Sequence, residues 1–370
     1  MDKSKKELDT KTSWNFYTTN EDGWDAMLQA CESAEKTIDL EQFIFITNDI
    51  GNKFIEVCGR KAKQGVRVRF LWDAAGSFKF FSSETIEELK SKGIELIFFK
   101  TLIPSIFKFH NYRSWYLRNH KRTLVVDNEI GFTGSICFSD EMKNWRDTVV
   151  KLEGPVVDEM QKEFERTWNR ALGKRGTGIS EKIKMIKSSE EFRYVTNYPF
   201  PRKHFLYKET ISAIKKAQKN IYITTPYFIP TRHLSRVIRG AGKRGVDIKI
   251  IVPLWSDHPI VDLCSRSFYT RMLKAGIKIY LYKGEMIHSK TMIVDDNWSS
   301  VGTLNLDTAS LLYNFEANII STNPLFASAL SEHFNIDLKD TEEITFEMWK
   351  NRFWIEKFFG FFARFLRDFL

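Results

Sequence analysis

The chain repeats itself, and a duplication constrains a fold strongly because each copy must bury its own faces in the same way. Ala34-Glu35-Lys36-Thr37-Ile38 is answered by Ala217-Gln218-Lys219-Asn220-Ile221. Gly65-Val66-Arg67-Val68 is answered by Gly245-Val246-Asp247-Ile248, and Lys92-Gly93-Ile94 by Ala275-Gly276-Ile277. These pairs stand about 180 residues apart. Farther on, His120 answers His288, Asp127 answers Asp295, Gly134 answers Gly302 and Pro155 answers Pro324, at an offset of 168 or 169. The shorter offset means about 15 extra residues in the first half, near 101–118.

Each half alternates strand-like and helical stretches. The β-branched and aromatic runs Ile38–Ile46 and Ile221–Ile229 read as buried strands, followed by helices and by the shorter strands Val66–Trp72 and Val246–Val252. A βαβα order gives the α/β class, with mixed sheets flanked by helices and parallel portions. Val156, Val157, Met160, Phe164, Trp168 and Leu172 form one helix face, with Gly173 as its C-cap. The organisation expected is a polar tail 1–14, a first half 15–172, a polar linker 173–191, a second half 192–345 and an amphipathic helix 346–370. Two homologous halves form a pseudo-dimer, and sites often lie between such halves.

The chemistry sits at matching points of the repeat. Ile287-His288-Ser289-Lys290 leads into the strand-like run Thr291–Val294 and Asp295, followed by Gly302-Thr303-Leu304-Asn305. Alternation along a strand puts His288 and Lys290 on one face and Ser289 on the other. A histidine beside a fixed cation suits a phosphodiester: imidazole attacks phosphorus or moves a proton while the cation balances charge. The first half has Asn119-His120-Lys121-Arg122 running to Asp127, then Gly134-Ser135-Ile136-Cys137. There the same parity pairs His120 with Arg122 rather than Lys121, and Cys137 stands where Asn305 stands in the second half. A single match would be weak, whereas two copies, each followed by a Gly-small turn, carry weight. Asp127 and Asp295 read as structural acids that fix the turn after each strand.

Composition narrows the partner. The 370 residues carry a formal net charge of +9, which points to an anionic partner. That partner offers phosphate, in nucleic acid or in lipid. No run approaches the length of a membrane span, the first fourteen residues lack a secretory h-region, and four cysteines without a CxxC pair fit a reducing interior. No Cys/His pattern marks a structural zinc site.

The doubled motif resembles that of the phospholipase D superfamily, and the chain is similar to bacterial cardiolipin synthases over about residues 15–345. Trp145-Arg146-Asp147-Thr148 with Leu152-Glu153-Gly154-Pro155 resembles their WRDT…EGP segment, Gly131–Ser135 their GFTGG turn, and Thr225–Pro230 their second-half strand. The resemblance implies a phospholipase D fold and a ping-pong phosphatidyl transfer without metal or cofactor. His120 would be the nucleophile and His288 the acid/base, with Arg122, Lys290 and Asn305 on the non-bridging oxygens and Ser135 assisting. Asp147 and Glu316, at equivalent places, would orient the histidines. Arg122 departs from the family's usual Lys, and Cys137 from its usual Asn.

The C-terminal run from Trp349 to Leu370 bears on the substrate. At helical spacing Trp354, Phe358, Phe361, Phe362, Phe365 and Phe369 share an apolar face, with charged residues opposite and Trp349 and Phe353 off the pattern. Such a helix suits an in-plane membrane position. Phe78, Phe80 and Phe81 and the aromatic, basic stretch Ile106–Tyr116 fit the same interface. The expectation is therefore a cardiolipin synthase acting on phosphatidylglycerol, peripheral at the cytoplasmic side of a bacterial inner membrane, with an anionic phospholipid surface as partner, no nucleic acid, and an oligomeric state left open. The alternatives are a phospholipase D acting with water or another alcohol, a nuclease of the superfamily, and a non-catalytic lipid-binding protein.

Overall fold

A computed structural model describes residues 11–77, 83–99, 117–174 and 191–352. The expected insertion up to Tyr116, Phe78, Phe80, Phe81, most of the linker and the aromatic tail from Phe353 onward lie outside the described residues. The chain divides into two compact units. Unit 1 holds residues up to Lys143 and Thr148–Tyr194, and unit 2 holds Asn144–Asp147 with the chain from Val195 onward.

In unit 1 the elements are β1 (Ser13–Thr19), α1 (Asn20–Ser33), β2 (Thr37–Gln42), α2 (Asp49–Lys63), β3 (Arg67–Asp73), α3 (Ser83–Ser91), β4 (Ile94–Phe99), β5 (Thr123–Val126), β6 (Ile130–Gly134), β7 (Arg146–Glu153) and α4 (Val156–Ala171). The sheet order is β1-β7-β6-β5-β2-β3-β4. Strands β2, β3 and β4 run parallel, whereas β5 is antiparallel to β2 and to β6, and β6 to β7.

Both faces of this sheet are buried, and the alternation of side chains says how. Ile38, Leu40, Val68, Phe70, Trp72, Leu124 and Val126 pack with Trp24 and Met27 of α1 and Phe54 of α2. The residues between them point the other way; Leu71 and Val125 are apolar, whereas Asp39 and Arg69 are buried charges that need partners. Asp39 accepts two hydrogen bonds of 2.7 Å from Arg69, whose guanidinium lies 4.9 Å from the Phe164 ring of α4. Gly131 leaves room for α4 on this side: a Cβ there would lie 2.6 Å from the Met160 sulfur. The expected apolar face of α4 holds except at Leu172, which is 46% exposed because the helix ends at Ala171 and Gly173 turns the chain with φ 69°.

Unit 2 repeats the plan. Its elements are β8 (Phe192–Asn197), α5 (Phe205–Lys216), β9 (Asn220–Thr224), α6 (Arg232–Lys243), β10 (Asp247–Pro253), α7 (Pro259–Leu273), β11 (Lys278–Tyr282), β12 (Thr291–Val294), β13 (Trp298–Gly302), α8 (Thr308–Leu312), β14 (Glu316–Ser321), α9 (Pro324–Lys339), β15 (Thr341–Ile344) and α10 (Phe346–Lys350). The sheet order is β15-β11-β10-β9-β12-β13-β14-β8, again with three consecutive parallel strands, β9, β10 and β11. The added strand β15 pairs antiparallel with β11.

Four expectations need correcting. The long strands Ile38–Ile46 and Ile221–Ile229 stop at Gln42 and Thr224, because the chain leaves the ladder and keeps only single bridges, Phe45 to Phe138 and Phe228 to Leu306. The Gly-small segments after each motif are the ends of strands β6 and β13 rather than turns. Trp349 is not part of a surface helix: α10 ends at its C-cap Asn351, and Trp349 is buried 5.2 Å from the Tyr269 ring. The strand β1 also begins at Ser13, inside the expected polar tail. The four cysteines, Cys31, Cys58, Cys137 and Cys264, are all free and buried.

Candidate active site

In unit 2 the second motif enters β12, where Met292 and Val294 face the core. His288 and Lys290 share their parity and Ser289 has the opposite one. His288 Nδ1 lies 2.8 Å from Asp147 Oδ2, and both residues are buried. A carboxylate only accepts, so Nδ1 carries the proton and Nε2 is the nitrogen left for chemistry. The Trp145 ring stands edge-on to the imidazole at 5.3 Å.

The backbone explains why Asp147 is there. Arg146 N donates to Met286 O and His288 N donates to Arg146 O, each at 2.8 Å, forming a parallel bridge opposite Ile287. The Arg146 guanidinium binds Asp337 of α9 through two bonds of 2.6 and 2.8 Å, reaches Ser289 Oγ at 3.1 Å, and donates to the Asp147 carbonyl. Burial pushes the Asp337 carboxyl up, and the Arg146 charge opposes that rise. Residues 144–147 are thus fastened beside the second motif at both backbone and side chain. Arg146 and Asp337 are positioning residues that sequence reasoning missed, although Arg146 stands next to Asp147.

Lys290 Nζ donates to the His288 carbonyl at 2.6 Å, which ties the cation to the motif backbone. Asn305 is buried, its side chain bonds Asp307, and its Oδ1 has no hydrogen-bond partner among the described residues. Asp307 caps α8 by accepting from Ser310 N at 2.7 Å. Burial, helped by the neighbouring Glu316, pushes the Asp307 carboxyl up to about 7. Glu316 itself is fully buried and accepts from the Thr303 hydroxyl.

In unit 1 the first motif is built differently. Arg122 Nη2 lies 3.0 Å from His120 Nε2, and Arg122 Nε donates to Cys137 Sγ at 3.1 Å. Phe43 stands edge-on to the His120 ring at 4.8 Å and lies beneath the Arg122 guanidinium at 5.9 Å. Lys121 points to the opposite face of the sheet. There it is fully buried between Glu41 at 3.2 Å and Glu163 of α4 at 3.1 Å. The expected parity therefore holds, and Lys121 is a partner of buried acids. Burial raises the Glu41 carboxyl even against Lys121. Ser135 Oγ donates to the Thr148 carbonyl at 3.2 Å.

Asp127 and Asp295 hold structural positions. Both lie in left-handed backbone, at φ 53° and 54°, in the hairpins β5–β6 and β12–β13. Asp127 accepts from the backbone N–H groups of Glu35, Lys36 and Thr37, and Asp295 from those of Gln218, Lys219 and Asn220. Each carboxylate ties its hairpin to the start of the neighbouring parallel strand. Among the described residues no group of three or more His, Cys, Asp or Glu side chains is placed to hold a metal ion, and no helix is long and apolar enough to cross a membrane.

The family model described as cardiolipin synthase, PLD-like domain, matches residues 27–168 and 210–338, one segment for each motif. The chain belongs to this family. It is 33% identical over 354 residues to a cardiolipin synthase of Halalkalibacterium halodurans, covering 93% of this chain and 69% of that one. It is 34% identical to the cardiolipin synthase of Alkalihalophilus pseudofirmus, covering 88% and 66%. Among solved structures, the phosphatidylserine synthase of Haemophilus influenzae superposes with a TM-score of 0.72 over 100% of this chain and 99% of that one. At 14% identity that likeness shows the fold: two phospholipase D-like halves, each a mixed sheet flanked by helices.

Proposed function

We propose that this protein is a cardiolipin synthase-type phosphatidyltransferase that moves a phosphatidyl group from phosphatidylglycerol to the hydroxyl of a second lipid. The observation that carries the reading is the buried Asp147–His288 pair at 2.8 Å, in a chain of the cardiolipin synthase family. His120 attacks phosphorus through Nε2, so that a phosphatidyl-histidine forms while the bond to the glycerol oxygen breaks. His288, its far nitrogen held by Asp147, protonates the departing oxygen and then takes the proton of the incoming hydroxyl. Arg122, Lys290 and Asn305 balance the charge on the non-bridging oxygens, with Ser135 assisting. Glu316, at the place in the repeat equivalent to Asp147, is the second acid that orients the histidines.

The net charge of +9 and the aromatic, basic C-terminal run support a peripheral position on an anionic phospholipid surface, at the cytoplasmic face of the inner membrane. The test is product analysis after incubation with phosphatidylglycerol liposomes without added metal, beside His288→Ala. Cardiolipin and free glycerol that disappear in the variant are expected. Phosphatidic acid instead would assign a phospholipase D hydrolase, and no His288-dependent lipid product would overturn the reading.

A further inference from the structure

The two positions at which the first motif departs from its family touch each other. Arg122 Nε donates to Cys137 Sγ, and Arg122 Nη2 meets His120 Nε2. A guanidinium has N–H donors and no acceptor, and it keeps its charge throughout the working pH range. The imidazole nitrogen must therefore accept. His120 Nε2 bears a lone pair, and the proton of the neutral ring sits on Nδ1. The remaining amine, Arg122 Nη1, is buried and has no hydrogen-bond partner among the described residues. The second motif is not built this way, since Lys290 turns to the His288 carbonyl and Asn305 stands where Cys137 would be.

Each observation points to the same ligand. A buried cationic donor without a partner calls for an anion. The Nη1/Nη2 edge of a guanidinium forms a fork that matches two oxygens of a phosphate group. One tine of this fork is orphaned and the other rests on the nucleophile. The thiol at 137 determines which edge is presented, because by accepting at Nε it leaves the Nη1/Nη2 edge for other partners.

We propose that Arg122, aimed by Cys137, caps the His120 lone pair and that a phosphodiester lifts the cap. Non-bridging oxygens engage Nη1 and Nη2 together, Nη2 leaves the imidazole, and the lone pair is released only when phosphorus is within reach. Cys137 is a positioning residue in this arrangement. The inference rests on His120 being the nucleophile of the proposed function.

The test is nitrogen NMR on the full chain labelled at histidine, with His120 assigned by His120→Gln and inorganic phosphate as the probe. An unprotonated His120 Nε2 whose resonance shifts on adding phosphate is expected. Arg122→Lys should move that resonance without phosphate and abolish the response. Cys137→Ala should raise KM for phosphatidylglycerol about 3- to 10-fold with a smaller change in kcat, and Cys137→Ser should recover most of the loss. A protonated Nε2 in the resting protein, a resonance indifferent to phosphate, or Cys137→Ala kinetics equal to the parent would overturn the cap. If the parent forms no cardiolipin, the proposed function fails while the resonance still decides the cap. Cardiolipin formation with a protonated Nε2 would sink the cap alone.

Discussion

Asp147 and Glu316 occupy equivalent places in the repeat, and both are buried. Asp147 holds an imidazole at 2.8 Å beside the anchored Arg146, and Glu316 receives the Thr303 hydroxyl and stands near Asp307. Asp147→Asn keeps the shape and loses the charge that favours the reactive tautomer of His288. A fall in kcat on the order of 10²–10⁴-fold with KM changed less than threefold is expected in steady-state kinetics. Asp307 supplies a pH test. Its folded carboxyl titrates near 7, above the unfolded value of about 3.9, so the native state binds the extra proton between those limits. Its contribution to stability is full below about pH 4 and falls as pH rises toward 7. Asp307→Asn, which still caps α8, should flatten that part of the profile when Tm is followed from pH 4 to 8. The sequence showed the histidines and both acids through the repeat. It hid Arg146–Asp337 and Arg122–Cys137, because a pair between distant side chains leaves no local pattern.

Strands carried their own evidence wherever burial alternates. Thr291–Val294 emerges as expected, and the parity it implies separates His288 from Ser289 and His120 from Lys121. Strand ends were less legible: Phe45 and Phe228 are as apolar as any strand residue but meet their neighbours through one bridge each. Glycine at the end of a strand also misled, since Gly134 and Gly302 read as turns. Their true role is close approach, for a Cβ on Gly302 would lie 2.3 Å from the Ala317 carbonyl and one on Gly134 the same distance from that of Thr148. Backbone cannot step aside as a flexible side chain can. Gly302→Ala should therefore cost about 2–4 kcal/mol in urea unfolding, with a larger loss for valine.

At the scale of the whole chain the duplication was the clearest signal, and the two units share one sheet order, with β15 as an addition that the repeat could not announce. The C-terminal reading divides at Arg352. Trp349 belongs to the core of unit 2, so ending the chain before Trp349 should cost about 3–5 kcal/mol. Ending it after Arg352 instead tests anchoring: binding to phosphatidylglycerol vesicles should fall in a sedimentation assay, with turnover of a soluble phosphodiester kept. The buried thiols have a different use. Cys31, Cys58 and Cys137 lie in unit 1 and Cys264 in unit 2, all shielded, and the Cys31 thiol is held up by its hydrogen bond with Cys58 and by burial. A thiol reagent therefore reads the opening of each half separately, and the chain carries a clock in each unit without any label being added.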